Sequence, residues 1–181
     1  MHGIVGYELY DWIRANYGDR VLLQILSTAS TKPIAFVVMM SYDDEDFFAF
    51  IAGAADVVKK PAPALLHEFG RHIAPQLVKA HKDIIPDHWR ALDVIEHTER
   101  TIHSVVRRKD AGATPPRIRA ERRNGEVRVI YDSPRRICQF GKGLIEGIGL
   151  HYKQPLTVQE PSCMHQGSPY CEFVVAEASG A

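Results

Sequence analysis

The spacing of apolar residues changes character near Ala113, and that change restricts the chain to a helical half followed by a strand-bearing half. Upstream, Ile4, Leu9, Trp12, Ile13 and Tyr17 recur at helical spacing up to Gly18, and Val21, Leu22, Ile25 and Leu26 form a second such group. Each group turns its apolar side chains to one face of a helix. Ser41 followed by Asp44 has the form of a capping arrangement that opens a helix through Phe47, Phe48, Ile51, Ala54 and Val57. Pro61 separates that helix from another carrying Leu65, Leu66, Phe69, Ile73 and Leu77. Asp87 is placed to cap a long helix from about Trp89 to Arg108, with Leu92, Ile95, Ile102 and Val106 inward and His103 beside that stripe.

After Gly112-Ala113-Thr114-Pro115-Pro116, the stretches Arg117 to Arg122 and Val127 to Tyr131 flank Asn124-Gly125. That dipeptide suits a tight hairpin because both positions tolerate positive φ. Ser133-Pro134 can serve as cap and first turn of a helix through Ile137, Phe140, Leu144, Ile145 and Ile148. Leu156 to Gln159 and Tyr170 to Ala176 are two further strand candidates. The expected fold class is α+β: an N-terminal helical part, residues 1–112, packed on a C-terminal antiparallel sheet with a helix, residues 113–181. With 181 residues and 45% hydrophobic content, a single domain can bury a core of its own.

Lys plus Arg and Asp plus Glu balance at 22 each, so the overall charge favours neither nucleic acid nor an anionic membrane. The basic run Arg117 to Arg128 falls in the expected hairpin and is read as a solvated face. No stretch approaches the roughly 20 apolar residues of a membrane span, and the N-terminus lacks the pattern of a secretory leader. A cytoplasmic location is the expectation. Neither a nucleophile elbow, a phosphate loop nor paired catalytic carboxylates occur, so an enzyme is not expected.

Three groups of residues carry chemistry. His103 offers an imidazole that can ligate haem iron through one ring nitrogen; the alternative is an ordinary surface or core histidine. Tyr131, Ser133 and Arg135 share a strand face by two-residue alternation and offer two hydroxyls and a planar guanidinium to carboxylates. The alternative there is a strand end that caps the next helix through Ser133. Cys163-x-His165 with Cys171, completed by Cys138, can form a tetrahedral zinc site with no open position for water. The alternative is three buried thiols beside an exposed His165. An odd number of cysteines, three, argues against a secreted disulfide framework.

His103, the turn from Gly112 to Pro116, Tyr131-x-Ser133-x-Arg135 and Gly143-Leu144-Ile145-Glu146-Gly147 together resemble the haem nitric oxide/oxygen binding (H-NOX) domains, including the sensor domain of soluble guanylate cyclase. Met1-His2-Gly3 and Tyr17-Gly18 look like that family's start, so the resemblance covers nearly the whole chain. It implies a haem b buried between the two parts, with His103 as proximal ligand. Tyr131, Ser133 and Arg135 would hold the propionates, and Pro116 would press on the porphyrin. Oxygen-binding members supply a distal tyrosine where this chain has Phe140, and the inferred neighbours Leu9 and Leu144 are also apolar. The resemblance therefore implies a nitric oxide sensor that excludes oxygen and acts by release of His103. Its partner would be a separate histidine kinase or cyclic-dinucleotide enzyme.

The ending Cys163-x-His165-x-Gly167-x-x-x-Cys171-x-Phe173 resembles that of a zinc-containing bacterial subset, and also that of vinyl-reductase-type small-molecule-binding domains. Two other functions follow from it: a zinc-thiolate redox sensor, or a haem-free vinyl-reductase-type ligand-binding module.

Overall fold

The computed structural model describes residues 1–28, 42–110 and 112–178. The helical part comprises α1 (Gly3–Tyr17), α2 (Asp19–Thr28), α3 (Asp44–Val58) and α4 (Ala62–Ala80), then α5 (Ala91–Thr98), a π-helical turn Glu99–His103 and α6 (Ser104–Lys109). The second part runs β1 (Arg117–Arg123), β2 (Glu126–Asp132), α7 (Cys138–His151), β3 (Leu156–Ser162) and β4 (Cys171–Glu177). The α+β class expected from the periodicity is the one observed.

Local chemistry sets several of these boundaries. Gly18 ends α1 at φ 87°, a left-handed conformation that costs glycine little, and its N–H bonds to the Arg14 carbonyl. Pro61 stands directly before α4. Asn124 and Gly125 take φ values of 51° and 84°, as the hairpin turn requires.

Two boundaries differ from expectation. Asp87 does not cap the long helix; α5 starts at Ala91, where the Asp93 carboxylate accepts the Arg90 backbone N–H at 2.8 Å. Ser133-Pro134 does not open α7 either: the chain makes a turn there, with Arg136 N–H bonded to the Ser133 carbonyl and Arg136 at φ 51°. A left-handed residue interrupts any helical run, so α7 waits until Cys138. Ser41 lies outside the described residues, and α3 begins at Asp44.

The sheet is antiparallel in the order β1-β2-β4-β3. In its register Val127 faces Val175, Val129 faces Phe173 and Tyr131 faces Cys171, and these residues are buried together on one face. Pro161, which has no N–H to give a ladder, sits in edge strand β3 where the register shifts between Gln159 and Ser162.

Two larger apolar cores result, beside a small cluster of Val78, Ile85 and Val94. One gathers Leu9, Trp12, Phe47, Phe50 and Phe69 among the helices; the other gathers Val127, Tyr131, Phe173 and Val175 beneath the sheet. Helix α7 belongs to both, giving Ile137 and Phe140 to the first and Cys138 and Ile145 to the second. It can lie against α4 only because glycine occupies the contact. A Cβ at Gly143 would stand 2.1 Å from the His67 carbonyl oxygen, and one at Gly70 would stand 2.4 Å from that of Phe140. The two backbones are thus nearly in contact, and α7 is held as a fixed partition between the cores.

Candidate functional site

A cavity of about 240 Å³ opens where α7, the sheet and the start of α1 meet. It adjoins a second of about 420 Å³, and Val5, Leu77, His103, Leu144 and Ile148 stand in the walls of both. The larger space falls within the roughly 300–1,000 Å³ usual for small-molecule pockets. Most of the lining is aliphatic or aromatic, so an apolar ligand gains free energy there by leaving water.

His103 reaches this space from the last position of the π-helical turn, where the Ser104 N–H bonds to the Glu99 carbonyl five residues back. Such single π turns are frequent at functional sites. The imidazole is only 14% exposed, and its Nδ1 lies 3.0 Å from Glu99 Oε2. The same oxygen accepts the Ile118 backbone N–H at 3.1 Å, while Arg107 pairs with the other carboxylate oxygen. Burial by itself would raise the Glu99 pKa, but hydrogen bonds from His103, Arg107 and Ile118 outweigh it and bring the carboxyl to about 2. With Nδ1 engaged, Nε2 is the nitrogen left for a metal. Motif spacing does not single out Glu99; its visible signal in the sequence is the four-residue separation from His103 on one helical face.

Tyr131, Ser133 and Arg135 all line the smaller cavity, as does Pro116. The Ser133 hydroxyl accepts the Arg135 backbone N–H at 3.3 Å, and burial pushes the Tyr131 phenol up to about 12, keeping it protonated. Arg135 already grips an acidic group: its Nε donates to Asp44 Oδ2 at 2.7 Å and its Nη2 to Thr114 Oγ1 at 2.6 Å. The Met1 ammonium holds the other Asp44 oxygen at 2.8 Å. A cluster of charge therefore marks one end of an otherwise apolar cavity.

Phe140 and Leu144 stand in the cavity wall on α7, and Phe140 stacks on Phe69 with ring centroids 5.6 Å apart. Leu9 does not reach either cavity; it is packed inside the helical core, and Val5, one turn earlier on the same face of α1, lines both. Helical spacing puts Leu9 on the inner face of α1 but does not say which turn of that face borders the cavity. Ile145 and Ile148 also line the smaller cavity.

The cysteines converge beneath the sheet. Cys163 Sγ lies 3.7 Å from Cys138 Sγ and 3.7 Å from Cys171 Sγ. The expected fourth member, His165, is elsewhere: exposed, with Nε2 2.7 Å from the Arg136 carbonyl. Glu160 takes its place, and the candidate ligand atoms of Cys138, Glu160, Cys163 and Cys171 all lie within 4.8 Å of one another. The register irregularity in β3 falls beside it. Glu160 Oε1 is buried with no hydrogen-bond partner, an expensive arrangement unless something else is meant to meet that oxygen. Burial and the neighbouring thiols raise the Cys138 pKa, and burial raises that of Cys171.

The sequence profile of the haem-NO-binding family matches residues 2–160. The chain belongs to that family. Its fold is that of the haem-binding gas sensors, and solved H-NOX structures superpose on it over almost their whole length. An H-NOX protein from S. oneidensis in the Fe(II)NO ligation state is 24% identical, with TM-score 0.90 over 99% of this chain and 100% of that one. Fe(II) unliganded H-NOX from K. algicida is 17% identical, with TM-score 0.87 over 99% and 98%. A mutant of T. Tengcongensis H-NOX is 20% identical, with TM-score 0.80 over 97% and 95%. At these identities the structures establish a common H-NOX fold. No curated protein sequence matches the chain significantly. Among the described residues, no helix is long and apolar enough to cross a membrane.

Proposed function

We propose that this H-NOX domain is a haem-based nitric oxide sensor that excludes oxygen and signals to a separate protein through release of His103 from iron. The observation that carries the reading is His103 in the wall of an apolar cavity, with Nδ1 occupied by Glu99 and charged donors confined to one end. The residues present fit a haem. Apolar walls suit the macrocycle, Nε2 of His103 suits the iron, and Arg135, Ser133 and Tyr131 suit propionates, with Arg135 exchanging or sharing Asp44. Bound haem supplies an iron with an open position for a diatomic gas.

The chain's own residues then set selectivity. Oxygen bound to ferrous haem gains from a hydrogen-bond donor, and the α7 residues facing the cavity, Phe140 and Leu144, have none to give. Thr98 lines both cavities but spends its hydroxyl proton on the Val94 carbonyl at 2.7 Å. Release of His103 would let its helix shift between two states against the Pro116 turn. A histidine kinase or a cyclic-dinucleotide enzyme is the proposed recipient. Nitric oxide titration of the ferrous protein, followed at the Soret band, tests this: the spectrum should be unchanged by air before nitric oxide is added, and the expected end state has lost the histidine. A persistent six-coordinate end state contradicts it.

We further propose zinc as a second cofactor, held by Cys138, Cys163, Cys171 and Glu160. Zn–S bonds of about 2.3 Å in a tetrahedron set the sulfurs about 3.8 Å apart, close to the 3.7 Å separations present. The partnerless Glu160 oxygen supports a carboxylate as fourth ligand. Metal would reverse the raised thiol pKa values by binding the thiolates.

A further inference from the structure

Resting on the haem reading above, we propose that Glu99 is a positioning residue: its carboxylate sets which nitrogen of His103 faces iron, strengthens that bond and ties the imidazole to strand β1. Its hydrogen bonds come from three elements. Oε2 accepts His103 Nδ1 at 3.0 Å and the Ile118 amide at 3.1 Å, and Oε1 takes Arg107 from α6. A carboxylate accepting the Nδ1–H of a metal-bound imidazole fixes its tautomer and ring orientation and makes Nε2 a stronger donor to the metal.

The π-helical turn begins at Glu99 and ends at His103, so the irregular stretch of this helix spans the pair it serves. Ile118 follows Arg117, the first residue of β1, and Pro116 of the cavity wall comes directly before. One oxygen therefore links the imidazole to the strand that continues the Pro116 turn. Displacement of His103 is therefore passed to the start of β1 through the oxygen they share.

The strength of this link opposes release of His103, which gives the proposal a spectroscopic signature. In ferrous haem-loaded protein, the iron–histidine stretching band should fall in frequency in Glu99→Gln and fall further in Glu99→Ala, with haem affinity down about 10- to 100-fold. Arg107→Gln removes a competing donor from the carboxylate without touching His103, so there the band should rise. A purely structural Glu99 would lower haem loading while leaving the frequency of loaded protein unchanged, and that result overturns the proposal. So does an unmoved band in Arg107→Gln should both Glu99 variants fail to fold. A wild-type band indifferent to His103→Ala instead defeats the haem reading itself, and the proposal falls with it.

Discussion

At position 140 the proposed exclusion of oxygen turns on the lack of one hydroxyl group. Phe140 is held by stacking on Phe69, so a tyrosine in the same rotamer would carry its hydroxyl into the space the ring now borders. Phe140→Tyr in haem-loaded protein should raise oxygen affinity roughly five- to tenfold, the effect of about 1 kcal/mol from one hydrogen bond. Spectrophotometric oxygen titration of the two proteins checks it, and equal affinities would show that the hydroxyl is not within reach of the gas. Asp44 makes a second prediction at this scale. Burial raises its pKa, but hydrogen bonds from the Met1 ammonium and Arg135 more than offset this and leave it below the usual value. A carboxyl depressed on folding stabilises the protein above its unfolded pKa of about 3.9 and loses that contribution as pH falls through the folded value. The melting-temperature gap between wild type and Asp44→Asn should therefore be full near neutrality and close on acidification below about pH 4.

Among the elements, the α4–α7 contact is the least tolerant of added volume. Gly143→Ala drives a methyl group to 2.1 Å from a backbone oxygen, which no side-chain adjustment relieves. Denaturant unfolding should show a loss of about 3 kcal/mol or more, at the upper end of overpacking penalties, whereas Gly125→Ala, with open space around it, should cost less and through backbone strain only. Much of the element pattern was legible because period and punctuation agreed: Gly18 and Pro61 bound helices, and Asn124-Gly125 makes the hairpin that joins β1 to β2. The misplaced boundaries were those governed by contacts rather than pattern. The start of α7 depends on a left-handed Arg136, whose Nη2 bonds to the Met164 carbonyl across the fold, and no local signal announces that. The π turn at Glu99–His103 is equally silent in a period count, since one added residue merely shifts the phase.

For the whole molecule, the arrangement is two larger cores with α7 between them and a cavity at their junction, so any ligand there touches both halves. That placement follows from long-range packing: His103, Pro116, Tyr131, Ser133 and Arg135, grouped by the family resemblance, all line the smaller cavity, whereas Leu9, grouped with them, packs in the helical core. The thiol cluster illustrates the same limit. Cys-x-His spacing drew attention to His165, yet the bend in β3 brings Glu160 to the thiols instead. Zinc analysis should find about one ion per chain in wild type and His165→Ala and a clear loss in Glu160→Ala. Chelation should lower the melting temperature of the first two, reflecting a loss of stability of up to the roughly 4 kcal/mol that ligand at a thousand times its dissociation constant confers. Loss of zinc in His165→Ala with retention in Glu160→Ala would reverse the assignment. The most direct test of the sensor account is the absorption spectrum of ferrous protein, wild type beside His103→Ala, each prepared with ample haem. The account requires a histidine-ligated spectrum in wild type that is absent from the variant and restored by added imidazole; a colourless wild type, or identical spectra, would contradict it.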